Sequence, residues 1–420
     1  MKKKVLLKGP VLTRSGYGEQ ARFALRSLRS REDIFDIYIQ PLQWGQTSWI
    51  TLQDDERKWI DERVEKAIAH VQSGGKFDIS VQVTIPNEWQ KMTPLDIGYT
   101  AGIETTKVAP IWLQKGNENV DKIIVVSEHS KNVYSNSSTT ATNTQTGENI
   151  PNYKLEKPIE SVGYPVKIYN DLPDLDLDLS TDFNFLAVAQ FGPRKNLPHT
   201  IKWFVEEFQD DENVGLVVKS NIAKNCLMDR EKMFNDLKGF LSTLPEHKCK
   251  VYLLHGDMTD EEIHALYKHN KISAFLTLAH GEGFGLPIFE AAYSGLPVVS
   301  VFWSGQCDFL AHDDKVMCYD VSYDLQPVQQ EVVWDGVLVK DSMWSFAREQ
   351  SAKEKMRQCY DDVVNNVEGS IAAGAEDYAA LLHDKFSADK MYEKFVENVF
   401  PAKELEKMQE EVDDLLAGLL

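Results

Sequence analysis

Short β-branched runs alternate with helix-patterned segments through the second half of the chain, and this alternation constrains the fold more than any other feature. The pattern predicts strands over 185–190, 214–219, 250–254 and 274–277, and helices over 197–208, 229–241 and 260–269. A less regular series begins at the N-terminus, with strands over 4–7, 78–83 and 122–127 and a helix over 18–28. Strand–helix–strand orders of this kind form a parallel sheet with helices on its faces. The sequence therefore predicts an α/β protein with two Rossmann-like halves.

An acidic, proline-containing stretch over 164–182 separates the two series. Since domain boundaries fall in polar linkers, we predict an N-terminal domain over 1–168 and a C-terminal domain over 169–389. A helix over about 390–420 is expected to pack back on the N-terminal domain. The segment 135–149, which begins the polar stretch 135–158, is rich in Ser, Thr and Asn and is predicted to be a mobile loop.

The net charge of −20 argues against a broad nucleic-acid-binding surface, because phosphate contacts need clustered Lys and Arg. Residues 1–31 nevertheless hold nine Lys or Arg against one acid, Glu19. Arg22, Arg26 and Arg29 form one stripe of the first helix, which we interpret as a solvated face; attraction of an anionic acceptor or membrane is the alternative.

The cysteine and histidine spacings indicate neither a disulfide framework nor a metal site. Five cysteines at irregular spacing fit reduced thiols, and the ten histidines show no zinc-type spacing. No run approaches the roughly 18 apolar residues of a membrane span. A cytoplasmic protein without a transmembrane segment and without a metal ligand set is expected.

The segment over 280–298 holds the densest set of candidate functional residues. Glycines at 281, 283 and 285 allow close approach of the backbone to a ligand. A glycine loop that opens a helix presents free N–H groups and the positive helix end, which bind phosphate. Glu282 and Glu290 are eight residues apart, one in the loop and one in the helix, so their carboxylates can reach different parts of one elongated ligand.

Two further motifs stand beside predicted strands. Arg194 and Lys195 follow the strand over 185–190, where cations can neutralise a leaving diphosphate. Gly16-Tyr17-Gly18 fits the G-x-G-x-x-G/A dinucleotide fingerprint, although about eight residues separate it from the strand over 4–7. An NAD-dependent oxidoreductase that uses this loop is therefore an alternative function.

Taken with these motifs, the sequence resembles the retaining glycosyltransferases of family 4 (glycosyl transferases group 1), which have the GT-B fold. The likeness is carried by Glu282-Gly-Phe-Gly-Leu-Pro and the second Glu at 290, followed by Gly295-Leu-Pro-Val-Val. It implies two Rossmann-like domains facing a central cleft. It also implies transfer of a hexosyl or pentosyl group from a nucleotide sugar to an acceptor hydroxyl, with retention of anomeric configuration and without a metal.

The resemblance also implies roles for individual residues. Glu282 would contact the transferred sugar, while Arg194 and Lys195 would hold the diphosphate. Donor contacts are implied for Gly16, Gly283, Phe284, Gly285, Leu286, Glu290, which would bind the ribose, and Met258, which would lie beside the nucleobase.

Glu104 stands where many members of the family have His. It is a candidate for stabilising the transition state or contacting the acceptor, and a structural Glu that caps a loop is the alternative.

The expected partners follow from the same resemblance. The nucleotide sugar is a substrate, and no cofactor is expected beside it. The acceptor stays open among a saccharide, a lipid, a protein and a modified nucleobase. A non-catalytic GT-B protein that binds nucleotide sugars is a further alternative.

Overall fold

The computed structural model describes residues 2–45, 47–142 and 145–401, and its N-terminal half is built on a parallel sheet. The strands here are β1 (Lys3–Gly9), β2 (Phe35–Pro41), β3 (Ile79–Val83), β4 (Leu95–Thr100), β5 (Lys122–Val125), β6 (Thr139–Thr142), β7 (Asn149–Tyr153) and β8 (Ile159–Ser161). The helices are α1 (Gly16–Arg29), α2 (Asp55–Gln72), α3 (Pro110–Asn119) and α4 (Glu128–Asn136). Among the described residues the main sheet has the order β2-β1-β3-β4-β5-β8.

The C-terminal half repeats this architecture. Its strands are β9 (Phe183–Val188), β10 (Val214–Lys219), β11 (Lys250–Leu254), β12 (Ala274–Leu276), β13 (Val298–Ser300), β14 (Ala311–His312), β15 (Lys315–Val316), β16 (Tyr319–Asp320), β17 (Tyr323–Pro327) and β18 (Met343–Ala347). Its helices are α5 (Leu197–Glu207), α6 (Leu227–Leu241), α7 (Asp260–Tyr267), α8 (Leu286–Tyr293), α9 (Glu349–Val364), α10 (Ala375–Lys385) and α11 (Ala388–Val399). In the described part of this half the main sheet has the order β11-β10-β9-β12-β13-β16, again parallel.

The apolar strands are buried because helices cover both faces of each sheet, as parallel sheets require. In β3 and β12 every residue is buried. Helix α1 begins where the Ser15 side chain accepts a hydrogen bond from the backbone N–H of Gly18. Its predicted apolar face, Ala21 to Leu28, lies in the core of the N-terminal half. The prediction of two Rossmann-like α/β halves is confirmed.

The prediction of a loop over 135–149 is wrong, because part of this segment forms a β-hairpin. Strand β6 pairs with β7 in antiparallel fashion, with Ala141 opposite Ile150. The strands bury few side chains, so the backbone hydrogen bonds are satisfied by the partner strand rather than by a core. Threonine, which is β-branched, favours this conformation. Asn143 and Thr144 lie outside the described residues.

The prediction of a solvated arginine stripe on α1 is wrong for Arg22. This side chain is buried, and its Nη1 donates to the Thr13 carbonyl oxygen at 2.9 Å. Arg26 is bidentate with Glu56 at 2.7 and 2.8 Å, and Arg29 lies 4.8 Å from the centroid of the Trp59 ring. Arg22 therefore donates to a backbone carbonyl oxygen, whereas Arg26 and Arg29 contact neighbouring side chains.

The end of the described chain packs against the N-terminal half. The Phe395 ring of α11 lies 5.4 Å from the Phe23 ring and 5.2 Å from the Tyr99 ring, centroid to centroid. The expected helix over 390–420 is described only as far as residue 401, and 402–420 lie outside the described residues. Between β8 and β9 the described chain runs without a helix or strand. The domain boundary in this linker stays a prediction.

Candidate functional site

The site is built where two parallel strands of the C-terminal half end side by side. After β9 a short 3-10 turn over Pro193–Lys195 carries the basic pair, and after β12 the chain enters the glycine loop. The two loops are tied together: the backbone N–H of His280 donates to the Arg194 carbonyl oxygen at 2.8 Å, and the Asn196 side chain donates to Leu278 O at 3.0 Å. Adjacent strand ends therefore bring the two motifs into contact.

Four charged side chains meet at this point. Arg194 Nη1 lies 2.8 Å from Glu282 Oε2 and donates to the Gly281 carbonyl oxygen at 2.7 Å. Its Nε lies 3.0 Å from Glu104 Oε2, which belongs to the opposite half. The Lys195 ammonium pairs with Glu282 Oε1. The structure thus brings together all four residues for which the sequence predicts catalytic roles, and Arg194 joins the two halves.

The electrostatics of this cluster are dominated by burial and by its own ion pairs. Burial raises the pKa of Glu282, but Arg194 and Lys195 outweigh it and lower the pKa to about 2. Burial raises the pKa of Glu104, and Arg194 only partly opposes this. Burial and the neighbouring Arg194 lower the pKa of Lys195. Two cations share two carboxylates in a partly enclosed space, an arrangement that a dianionic ligand can enter by replacing a carboxylate.

The glycine loop packs on the N-terminal half, a contact that the sequence analysis did not predict beside the approach of these glycines to a ligand. A Cβ on Gly281 would fall on the Glu104 carbonyl oxygen, and one on Gly283 would fall on the Ala101 carbonyl oxygen. Ser127 Oγ donates to the Gly283 carbonyl oxygen at 2.6 Å. The first two glycines therefore allow backbone-to-backbone contact between the halves.

The next residues of the loop begin helix α8. Gly285 has φ +98°, a conformation that favours glycine, and it precedes the first helical residue, Leu286. The Phe284 ring is buried 5.1 Å from the Tyr164 ring and 5.2 Å from the Phe289 ring, centroid to centroid. The Phe284 side chain is thus structural. The first N–H groups of α8 have no intrahelical acceptor and are available to a phosphate.

Leu286 and Glu290 line a cavity of about 610 Å³ between the halves. The Tyr267 hydroxyl donates to Glu290 Oε2 at 3.1 Å. Burial raises the pKa of Glu290 to about 7, although the Lys167 ammonium acts in the opposite direction. Arg14, from the N-terminal half, also lines the cavity, and its guanidinium donates to the Met258 carbonyl oxygen at 3.1 Å. Glu290, expected at the ribose, therefore lines this cavity, whereas Met258, expected at the nucleobase, lines a separate cavity of about 180 Å³.

Sequence reasoning missed Lys167, which bridges the two halves beside this cavity. Its ammonium lies 2.9 Å from Glu19 Oε1 of α1 and 3.0 Å from Asp260 Oδ2 at the start of α7. Burial opposes the charge of Lys167, but Glu19 and Asp260 outweigh it and raise the pKa well above the ordinary value. A lone lysine in an irregular linker belongs to no motif, so the sequence held no signal for it.

In the Gly16-Tyr17-Gly18 motif, close contacts are made by Tyr17 and Gly18 rather than by Gly16, the residue predicted to contact the donor. Gly16 is exposed, and a Cβ there would meet open space, whereas a Cβ on Gly18 would fall on the Thr13 carbonyl oxygen. The Tyr17 hydroxyl is 2.7 Å from Thr100 Oγ1. The side chain of this motif that approaches the Glu104-bearing segment is thus that of Tyr17.

Strand β18 connects the two sides of the cluster. The Ser345 hydroxyl and backbone N–H both donate to the His280 carbonyl oxygen, at 2.8 and 2.9 Å. Two residues earlier, the Met343 backbone N–H donates to Thr106 Oγ1 at 3.0 Å. His280 thus has a structural environment, and the Thr106 segment next to Glu104 is fastened to the C-terminal half.

Residues 2–45, 47–142 and 145–401 hold neither a metal-type cluster of side chains nor a helix that could span a membrane. No group of three or more His, Cys, Asp or Glu side chains is placed to hold a metal ion. No helix there is both long and apolar enough to cross a membrane.

Comparison with solved structures identifies the fold class. HepE from Anabaena, solved with UDP and glucose, matches with a TM-score of 0.60 at 12% identity, covering 94% of this chain and 98% of that one. Sucrose-phosphate synthase from Thermosynechococcus elongatus matches with a TM-score of 0.57 at 12% identity, covering 99% and 100%. The chain has the GT-B fold, as the sequence predicts.

The sequence comparisons point to the same class of protein. Residues 177–325 match the family Glycosyl transferases group 1, and this range contains the basic pair and both glutamates of the E-x7-E spacing. Serotype-specific mannosyltransferase WbdA of Escherichia coli is 27% identical over 202 residues, which are 45% of this chain and 22% of that protein. The chain thus spans about a fifth of the length of the curated relatives it matches. These findings connect residues 177–325 with the family Glycosyl transferases group 1, and they do not favour an oxidoreductase.

Proposed function

We propose that the chain is a family 4 glycosyltransferase that transfers a hexosyl or pentosyl group from a nucleotide sugar to an acceptor hydroxyl with retention of configuration. One observation carries this proposal: Arg194 contacts Glu282 of its own half and Glu104 of the opposite half. The cation expected at the leaving diphosphate therefore lies where a donor bound to one half would face an acceptor bound to the other.

In the proposed donor complex, the diphosphate replaces Glu282 as the partner of Lys195 and shares Arg194 with Glu104. Two cations and the amides at the start of α8 then stabilise the charge that develops as the diphosphate leaves. Glu282, released from one cation, hydrogen-bonds the hydroxyls of the transferred sugar. Glu290 accepts from the ribose hydroxyls in the cavity between the halves.

Retention and metal independence are part of the same proposal. The acceptor oxygen forms its bond to the anomeric carbon on the face from which the diphosphate departs. The bond from that carbon to the phosphate oxygen breaks, and the phosphate takes the acceptor proton. Arg194 and Lys195 supply the positive charge that a divalent cation supplies in other transferases.

Donor binding is tested first, by thermal shift with UDP-, GDP-, ADP- and CDP-sugars and with NAD(H). One sugar-nucleotide class should stabilise the protein, and a response to NAD(H) alone would overturn the proposal. With the donor in hand, the anomeric configuration of the product is read by proton NMR, with and without EDTA. An inverted product, or activity abolished by EDTA and restored by Mg²⁺, would refute retention or metal independence respectively.

Two alanine variants separate the role of Arg194 from the role of Glu290. Arg194→Ala should mainly lower kcat, because the guanidinium stabilises charge that appears in the transition state. Glu290→Ala should mainly weaken nucleotide binding, measured as Kd by calorimetry. Equal losses of kcat and of affinity in both variants would contradict the assigned roles.

A cytoplasmic location is proposed with this function. It is supported by the five cysteines, all of which carry free thiols. Fractionation of cells expressing the chain would test it, and recovery outside the cytoplasm would contradict it.

A further inference from the structure

Helix α6 of the C-terminal half exposes three large apolar side chains to solvent. Leu227 is 72% exposed, Met228 80% and Phe234 56%, and we call these three residues the α6 patch. Leu227 and Phe234 are seven residues apart and therefore lie on the same side of the helix, with Met228 next to Leu227. Apolar side chains that are exposed as a group, rather than singly, mark an interaction surface.

The apolar character of the α6 patch has no explanation within the C-terminal half. The other side of the helix packs on this half through Met233, which is buried, and through the partly buried Leu237 and Phe240. One apolar side is enough to attach a surface helix to its domain, and the remaining side is ordinarily polar. The second apolar side of α6 therefore indicates a binding partner outside the C-terminal half.

The start of α6 is fixed to neighbouring loops, so the α6 patch does not have to be ordered when a partner binds. The Asp229 carboxylate accepts a hydrogen bond from the Ile222 backbone N–H at 3.0 Å, and it lies 2.9 Å from His255 Nε2. The Asn225 side chain donates to Asp257 Oδ1 at 2.6 Å. Binding at the patch therefore costs little conformational entropy.

The exposed charge around the α6 patch is opposite in sign to that of the whole chain, whose net charge is −20. Over residues 224–238, four side chains are Lys or Arg and three are acids. One of the acids, Asp229, is buried, with 8% of its side chain exposed. Cations therefore outnumber carboxylates on the exposed surface of this segment, which suits an anionic partner.

Two of these cations lie beside the α6 patch. Arg230 is three residues from Leu227, and Lys238 is four residues from Phe234, the spacings at which side chains on a helix are neighbours. Neither cation pairs with a carboxylate of the described residues. Unpaired cations next to exposed apolar side chains are what a surface helix needs to bind an anionic lipid surface.

The small size of the α6 patch favours a lipid surface over a protein partner. A stable protein–protein interface uses roughly 20–30 residues on each side, around an apolar core. Three apolar side chains fall far short of such a core, and a second copy of the chain would add a further net charge of −20. A lipid surface needs no matching shape, because a few apolar side chains can enter the boundary between head groups and acyl chains.

We propose that α6 binds an anionic lipid surface, with Leu227, Met228 and Phe234 entering the head-group boundary and Arg230 and Lys238 contacting lipid phosphates. Helix α6 follows β10, which pairs with β9 in the parallel sheet, so the helix begins at the sheet edge that carries the charged cluster. The α6 patch lies outside the candidate site, and its binding to lipid does not depend on the proposed transferase activity.

Flotation of the full chain with lipid vesicles tests this proposal. The probes are vesicles of phosphatidylcholine alone and vesicles of phosphatidylcholine mixed with phosphatidylglycerol, and the chain should bind the second kind. Leu227→Ser and Phe234→Ser should each lower the partition coefficient about tenfold, because each removes apolar surface from the lipid. Arg230→Gln should lower it about fivefold, the effect of one cation at an anionic surface. Val71→Ser on α2 is the matched control, since Val71 is 58% exposed, and it should leave binding unchanged.

A fluorophore on Cys226 measures the contact at the patch itself. Cys226 is exposed and directly precedes Leu227, whereas the other described cysteines are buried or half-buried. A polarity-sensitive maleimide attached there should shift its emission to shorter wavelength with the anionic vesicles and not with phosphatidylcholine alone.

Several results would overturn the proposal: no binding to the anionic vesicles, equal binding to both kinds of vesicle, or equal losses in Phe234→Ser and Val71→Ser. A dimer in sedimentation equilibrium that Phe234→Ser dissociates would also overturn it, in favour of a second copy as the occupant. The substituted side chains are exposed, so the variants should unfold at the wild-type midpoint. The thermal shift with sugar nucleotides should be the same for Phe234→Ser and the wild-type chain, which keeps failure of lipid binding distinct from failure of the transferase proposal.

Discussion

Replacing Glu282 by Gln tests whether the charged cluster is held together by mutual neutralisation. The substitution keeps the shape of the side chain and removes its charge. Among the described residues, Arg194 then keeps Glu104 as its one carboxylate partner, and Lys195 loses the carboxylate with which it pairs. Both cations remain in place in a site where burial disfavours their charge. Breaking a buried ion pair by removing one partner costs more than the pair itself contributes.

The size of the loss can be worked from the pKa of Glu282. The cations hold it at about 2, against an ordinary value of 4.5. A difference of that size corresponds to about 3 kcal/mol of stability. Because the pKa of the folded protein is lowered, this stability is present above pH 4.5 and is lost as the pH falls towards 2. The Glu282 side chain is 9% exposed, so solvent screening removes little of it.

Thermal unfolding followed at pH 7 measures this loss. For a domain of roughly 150–250 residues, a loss of 3 kcal/mol corresponds to a decrease of roughly 6–12 °C in the midpoint of thermal unfolding. Glu349→Gln is the matched control, because Glu349 pairs with Lys353 on the surface of α9 and should change stability by less than about 0.5 kcal/mol. Saturating nucleoside diphosphate should narrow the gap for Glu282→Gln, since the diphosphate supplies the missing charge. A midpoint that falls no further than that of the control refutes the reasoning.

Three other predictions concern the contact between the halves and the cavity. Burial raises the pKa of Glu290 to about 7, so nucleotide affinity measured by calorimetry should rise between pH 6 and 8 as the carboxylate forms. Glu290→Gln should abolish this pH dependence of the affinity; an unchanged pH dependence would assign the titration to another group. Lys167→Met should move the midpoint of that pH dependence upward by roughly one pH unit, because the ammonium favours the charged carboxylate; a downward shift would contradict this. Gly283→Ala would place a Cβ on the Ala101 carbonyl oxygen and should lower kcat about 100-fold by forcing the halves apart. Gly239→Ala, which meets no atom within 4 Å, should leave kcat unchanged, and equal rates in the two variants would count against the close contact.

The sequence predicts those contacts of the site that depend only on the order of the strands in the sheet. Arg194 and Glu282 follow β9 and β12, which are neighbours in one parallel sheet, so their loops meet at the same edge. The spacing from Glu282 to Glu290 crosses the start of a helix and separates the two carboxylates in a predictable way. These inferences need only local structure and the parallel order of the strands.

Other features depend on how the two halves face each other, which no local pattern encodes. Glycines at 281 and 283 allow close approach, but the sequence does not reveal that the approaching group is the backbone of the opposite half. Lys167 bridges Glu19 and Asp260 across the linker, yet neither Lys167 nor Asp260 belongs to a motif, and Glu19 fills an unspecified position of the G-x-G-x-x-G/A fingerprint. The hairpin of β6 and β7 was missed for a different reason, since its strands satisfy each other and bury almost no core.

The β17–β18 hairpin shows why the placement of Glu104 needs more than the motif-bearing segment. The Glycosyl transferases group 1 match ends at residue 325, whereas β18 begins at Met343. In this strand, the Ser345 carbonyl oxygen is hydrogen-bonded to the His280 ring at the entrance of the glycine loop. The Met343 backbone N–H donates to Thr106 Oγ1, two residues from Glu104. Further along the same hairpin, the Asn87 side chain donates to the Gly336 carbonyl oxygen at 2.9 Å. Because β18 is bonded to both edges of the cluster, residues outside the matched range add to the contacts of Gly281 and Gly283 in holding Glu104 near Glu282. A segment that carries none of the proposed catalytic groups is therefore bonded to both sides of the site where Arg194 contacts the two carboxylates.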